Sequence, residues 1–268
     1  MLRPPTGIRL PDLREVWRYR DLLVFLALRD IQVRYRQTIL GATWAILQPV
    51  LSMAVFSLIF GKLARMPSDG LPYPVFAFAA LLPWQLFSFT LTTSANSLVN
   101  NERILTKVYF PRLIIPLGSV GAGLLDFAIA FVVLLGMMAW YRMVPTLAVL
   151  LLPLVVLLAL LAALAIGLWL AALNVRYRDV RYAIPFVVQL WLFTTPIAYP
   201  SSLIPERWRL LYALNPMAGV VEAFRWALLR GAPPPGPMLL VSCAVVLALL
   251  FGGLVYFRSM ERVFADVV

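Results

Sequence analysis

Residues 147–173 read LAVLLLPLVVLLALLAALAIGLWLAAL, twenty-seven positions without one charged side chain. At about 1.5 Å rise per residue, an α-helix of that length reaches roughly 40 Å, beyond the ~30 Å hydrocarbon core of a bilayer. Backbone polar groups in lipid must be satisfied within the segment, so the run is read as a membrane-spanning helix. Five more runs resemble it: 42–60, 73–91, 113–141, 183–199 and 238–257. The run 113–141 is over-long and carries one acid, Asp126, while 183–199 is short and leads into a proline-rich stretch. The expected fold is therefore all-α, a polytopic integral membrane protein with six transmembrane helices. It is expected to form one domain, with an N-terminal segment 1–41, a bundle 42–257 and a tail 258–268.

Composition agrees with that reading and narrows the chemistry. Of 268 residues, 62% are hydrophobic and 13% charged, and the mean hydropathy is +0.89. The chain has no histidine and one cysteine, Cys243. That excludes an intrachain disulfide, a thiolate zinc cage and imidazole-based acid, base or metal chemistry, so neither a metal site nor a catalytic residue is expected. The net charge is +11, but the basic residues are scattered between the apolar runs rather than gathered on one face. Membrane phospholipid is the expected partner and nucleic acid is not. Segments 1–41, 92–112, 174–182 and 258–268 carry sixteen of the Lys and Arg residues, against seven in 61–72, 142–146 and 200–237. By the positive-inside rule the first group, with both termini, is expected in the cytoplasm.

Two stretches between the runs carry their own patterns. No cleavage site follows the short apolar stretch 22–28, because Arg29 and Asp30 come next. Across 11–28, Leu13, Val16, Trp17, Leu23, Val24 and Ala27 recur at roughly helical spacing, with Arg14, Glu15, Arg18 and Asp21 on other faces. This predicts an interfacial amphipathic helix. The stretch 200–237 predicts two short helices, 202–214 and 217–229. Asn215 is placed as the N-cap of the second and Pro216 at its first position, with Gly231 and a run of prolines ending it. The two are expected to dip into the membrane as a re-entrant pair before the last span. Glu222 and Arg225, spaced i, i+3, would contribute only about 0.2–0.5 kcal/mol if exposed, but breaking a desolvated pair is costly.

No phosphate-binding GxxxxGK[ST] loop is present, and Gly61-Lys62 lacks the upstream glycine. Gly118, Gly121 and Gly123 fall in an apolar run, where close helix packing accounts for them. Arg34, Tyr35 and Arg36 admit two readings: guanidinium binding of a substrate phosphate, or anchoring to lipid headgroups. Asp126, with no other acid or histidine at depth to form a proton relay, is read as a structural group facing the bundle.

Four blocks carry a resemblance. Residues 29–41, RDIQVRYRQTILG, lead through Trp44 to Gln48-Pro49; 107–112 read KVYFPR; 174–180 read NVRYRDV. The fourth begins at 196–199 and continues through Asn215-Pro216-Met217 to 222–226, EAFRW. In this order, and over nearly the whole chain, they resemble ABC-2 type permeases that export polysaccharides. The resemblance implies the membrane half of an ABC transporter, homodimeric and joined to two separate ATPase subunits. This chain would then hold no cofactor, and ATP and Mg would sit on the ATPase. The implied substrate is lipid-linked polysaccharide such as O-antigen, in a bacterial inner membrane; teichoic acid, capsule, drug and lipid exporters are the alternatives within the family.

In similar permeases the loop 92–112 forms a coupling helix, which assigns ATPase coupling to Asn101, Glu102, Arg103 and Lys107; on its own the loop reads as a solvated connection. The outer-gate region of the family falls on Asn215, Pro216, Glu222 and Arg225. Trp84, Phe87, Trp191, Phe193 and Tyr199 are candidates to line a channel, since flat ring faces give sugar C–H groups contact without deep hydrogen-bonded wells. A membrane glycosyltransferase or phosphatase would need clustered carboxylates, whereas the acids expected in the cytoplasm, from Asp12 and Glu15 to Glu261 and Asp266, are thinly spread.

Overall fold

The computed structural model describes residues 13–36, 43–105 and 110–261, and these are helical with no strand among them. In chain order the helices are α1 (Leu13–Arg18), α2 (Arg20–Arg36) and α3 (Thr43–Phe56), the last continuing as a π-helical stretch Ser57–Leu63. They are followed by α4 (Tyr73–Asn100), α5 (Glu102–Leu105), α6 (Ile114–Gly118) and α7 (Val120–Trp140). A 3-10 stretch Leu147–Leu151 leads into α8 (Leu152–Arg176), and then come α9 (Val180–Thr194), α10 (Glu206–Tyr212), α11 (Pro216–Leu228) and α12 (Gly236–Met260).

Among the described residues five helical stretches are long and apolar enough to cross a membrane: Thr43–Leu63, Tyr73–Asn100, Ile114–Trp140, Leu147–Arg176 and Gly236–Met260. The sixth expected span differs. Helix α9 has 15 residues, about 22 Å at 1.5 Å per residue, short of the ~30 Å core. It stops because Thr195 is extended before Pro196, whose ring disfavours helical backbone at the preceding residue. Residues 195–198 form a buried turn instead of the end of a span.

Helix α4 is the axis of the molecule, with both its aromatic and its small residues buried. It packs along α8, where close approach depends on Gly167: a Cβ there would lie 2.7 Å from the Ser94 Oγ. Asn174 of α8 ties the same interface by donating to the Ala95 carbonyl at 3.1 Å and to the Asn96 Oδ1 at 3.0 Å. Helix α12 covers the other side of α8.

The N-terminal segment departs from a single amphipathic helix over 11–28. It breaks at Tyr19, and α2 continues to Arg36. One side of α2, with Leu22, Leu23 and Leu26, joins an apolar cluster with Ile114 and Leu117. The opposite side leaves Val24, Phe25, Leu28 and Val33 exposed. The close seat on α7 follows from Gly121, where a Cβ would lie 2.8 Å from that of Ala27, so the glycines of this run serve helix packing.

The connections gather at two ends. At one, Arg181 donates to the Asn100 Oδ1 at 3.2 Å and Arg112 donates to the Glu261 carbonyl. At the other, Ser202 donates to the Asp69 carboxylate at 2.9 Å, Tyr73 to the Ala198 carbonyl at 2.8 Å and Thr146 to the Ala227 carbonyl at 3.0 Å. These are the two groups of segments that the charge count separated.

Candidate functional site

Arg34 and Tyr35 are carried by the last turn of α2 to the side of α7. The Arg34 guanidinium meets the Asp126 carboxylate at 2.7 Å and lies 4.4 Å above the Phe89 ring of α4. Tyr35 donates its hydroxyl to the other oxygen of Asp126. Burial, then the Asp126 carboxylate, raises the Tyr35 phenol to about 12, so it remains a proton donor through the neutral range. Arg36, at the end of α2, is exposed. The acid inside the third apolar run is thus the partner of two residues singled out in α2. It joins the N-terminal segment to the bundle.

Arg34 and Asp126 also help line a cleft between α3, α4, α7 and α9, with a volume of about 420 Å³. Trp44, Trp84, Phe89 and Phe127 contribute rings to its wall. Of the five candidate channel aromatics only Trp84 borders it. Phe87 is fully buried and meets Trp191 edge to face at 5.3 Å, so it belongs to packing rather than to a passage. Trp191 donates its indole N–H to the Asn215 Oδ1 at 2.9 Å. Phe193 is exposed on α9, and the Tyr199 hydroxyl shares a hydrogen bond of 3.0 Å with that of Tyr212. A count of aromatics sees ring chemistry but not the side of a helix on which each ring falls.

Asn215 is the N-cap expected of α11: its Oδ1 accepts from the Met217 backbone N–H at 3.1 Å, and Pro216 occupies the first helical turn. Its amide also donates to the Thr195 Oγ1 at 3.0 Å and the Thr194 carbonyl at 3.2 Å, fastening the end of α9 to the start of α11. Helix α11 lies inside the bundle against α4, α8 and α12, with both its apolar and its charged face buried.

Glu222 and Arg225 pair there at 3.1 Å, with side-chain exposures of 7% and 2%. The guanidinium further donates to the carbonyls of Pro196 at 2.7 Å, Ile197 at 2.9 Å and Phe76 at 3.3 Å, and sits 3.5 Å from the centre of the Phe76 ring. One side chain thus closes the buried turn after α9 against α4 and α11. The i, i+3 spacing signalled the pair; nothing in it signalled the three carbonyls.

At the opposite end, Asn101 stops α4 by donating its side-chain amide to the Ser97 carbonyl at 2.8 Å. Glu102 and Arg103 project from the single turn of α5, both exposed, while Ile104 and Leu105 pack into the apolar cluster beneath. Lys107 lies outside the described residues.

Comparison with known proteins gives this arrangement a family. Residues 21–229 match the family described as ABC-2 type transporter. The O-antigen export system permease protein RfbA of Myxococcus xanthus is 34% identical over 257 residues, 95% of this chain and 98% of that one. A protein of the same name from Klebsiella pneumoniae is 31% identical over 79% of this chain and 81% of its own length. The polysialic acid transport protein KpsM of Escherichia coli is 27% identical over 88% of this chain and 92% of its own. With more than half its length matched, and a fold of apolar helices long enough to cross a bilayer, the chain belongs to the ABC-2 type transporter family.

Proposed function

We propose that the chain is the permease subunit of an ABC exporter that moves a lipid-linked polysaccharide such as O-antigen across the bacterial inner membrane. The observation that carries this reading is the 34% identity, over 95% of the chain, to a protein named as an O-antigen export permease. In this reading two copies form the pathway, and two separate ATPase subunits bind ATP and Mg and drive it. The ends rich in Lys and Arg, with both termini, face the cytoplasm. The exposed Glu102 and Arg103 of α5 receive the motion of the ATPase, and Arg34, which lines the cleft, meets the anionic headgroup of the substrate. Asn215, Pro216, Glu222 and Arg225 hold the outer gate in its folded form. The likeness to KpsM keeps a capsule-type acidic glycan as the second reading.

The test is restoration. In the source bacterium with this gene deleted, surface polysaccharide is expected to disappear and lipid-linked glycan to accumulate inside. Both are expected to reverse when the chain is returned with its partner ATPase intact. Unchanged surface polysaccharide in the deletion strain would refute the proposal.

A further inference from the structure

The bend between α10 and α11 is held by a side chain of α12. Helix ends leave backbone groups without partners inside the helix, and here Ala213, which follows α10, and the first turn of α11 are buried. Asn215 serves two of the α11 N–H groups, that of Met217 through its Oδ1 at 3.1 Å and that of Ala218 through its carbonyl at 3.0 Å. Gly219 donates instead to the Ser242 Oγ at 3.2 Å. The Ser242 hydroxyl in turn donates to the Ala213 carbonyl at 3.1 Å, the nearer of two, with that of Asn215 at 3.5 Å. A hydroxyl both accepts and donates, so one side chain closes the end of one helix and the start of the next. Ser242 has no exposed surface, so solvent cannot stand in for it. Gly219 makes the approach possible: a Cβ there would lie 2.5 Å from the Ser242 Oγ and 3.2 Å from the Leu239 Cα. Around the hydroxyl, Ala213, Ala218 and Met238 form an apolar cluster of their own with Tyr212 and Val241.

The other end of α12 is fastened too. Phe257 and Met260 are buried in one cluster with Phe110, Leu113 and Ile114, and Arg112 donates to the Glu261 carbonyl just past the helix. Arg112 closes the loop 92–112, on which the coupling residues lie. Helix α10, by contrast, turns Trp208, Leu210 and Leu211 outward and rests on α12. We infer that Ser242 is the positioning residue that hangs the outer-gate hairpin α10–α11 on α12, which makes α12 the strut through which movement at the coupling loop reaches the gate. The inference rests on the export reading above and adds the contact that transmits the stroke. A continuous helix is a rigid element, and from Met260 to Ser242 it carries a displacement over about 27 Å. Without the hydroxyl, the bend at 213–215 parts from α12, and the gate neither stays shut at rest nor follows the stroke.

The experiment compares Ser242→Ala and Gly219→Ala with Val246→Ala, a fully buried apolar position one turn further along α12, in the full chain expressed with its partner ATPase. Surface polysaccharide is measured in the deletion strain at matched membrane abundance. The purified complexes are then placed in phosphatidylethanolamine and phosphatidylglycerol vesicles loaded with carboxyfluorescein, and dye release and ATP hydrolysis are followed. Ser242→Ala is expected to lower export several-fold and to release dye several-fold faster than the unaltered complex, with ATP hydrolysis retained. Gly219→Ala, which forces a Cβ against the hydroxyl, should do the same. Val246→Ala, a packing loss without a lost hydrogen bond, should keep the dye in and export in proportion to its abundance.

Normal export with tight vesicles in Ser242→Ala overturns the inference. Equal leakage from Val246→Ala also overturns it, because any loosening of α12 would then suffice. So does a fall of ATP hydrolysis in step with export, which would put the fault at the coupling loop rather than at the gate. Should Ser242→Ala fail to accumulate in the membrane, Gly219→Ala decides on the same readings. If the unaltered chain restores export and Ser242→Ala does too, only the strut fails. If the unaltered chain restores nothing, the export reading fails and takes this inference with it.

Discussion

Arg225 shows what a single buried charge can hold. A guanidinium with 2% exposure is tolerable in an apolar setting only because its charge meets Glu222 and its remaining N–H groups meet the Pro196, Ile197 and Phe76 carbonyls. Arg225→Ala is therefore expected to cost about 3–5 kcal/mol, since it leaves the Glu222 carboxylate and the Pro196 and Ile197 carbonyls of the buried turn without this donor. The loss should appear as a lowered unfolding midpoint in detergent and as weak export at matched abundance. Lysine, a point charge with no planar fork, should recover only part of it. Exchanging the two charges, which an isolated pair would tolerate, should not help, because glutamate at position 225 has nothing to donate to the turn. Export restored by the exchanged pair would show that the carbonyl contacts do not matter.

Elements meet where side chains are smallest. The seat of α2 on α7 needs Gly121, and a Cβ at that position would come within 2.8 Å of the Ala27 Cβ. Gly121→Val is expected to destabilise the protein by about 1–3 kcal/mol, as overpacking of a tight contact does. Ala27→Gly in the same chain should recover part of that, and the unfolding midpoints of the three variants check it. At the far end of α4, the exposed charges of α5 are the accessible part of a turn whose apolar side is packed down. Glu102→Arg and Arg103→Glu are expected to lower transport-linked ATP hydrolysis while insertion and binding of the ATPase persist. Unchanged coupling in both reversals would return this turn to the status of an ordinary connection.

For the whole molecule the prediction is its orientation. The sixteen to seven division of Lys and Arg puts 92–112 inside and 200–237 outside, and the hydrogen bonds across the two ends keep each group together. With Cys243→Ala as background, single cysteines at Ser68 and Ser201 should react with an impermeant maleimide added to intact spheroplasts, and one at Glu102 should react only after lysis. Outside labelling at Glu102 would invert the molecule.

The sequence by itself determined that the chain is helical and lives in a bilayer, because uncharged runs of span length leave the backbone no other way to satisfy its polar groups in lipid. It also located the cap at Asn215-Pro216 and paired Glu222 with Arg225, since these depend on neighbours within a turn or two, whereas α11 ends at Leu228, ahead of the glycine and prolines read as its stop. Only the tertiary structure decided that α9 ends at Thr194, that Asp126 of α7 answers both Arg34 and Tyr35 of α2, and that Phe87 is packed away while Gln48, Gln85 and Gln189 share one cleft. Each of these depends on which face of one helix meets which face of another. In an all-apolar helix the hydrophobic pattern does not mark a face, so the choice passes to small residues and buried polar contacts that only the assembled bundle brings together.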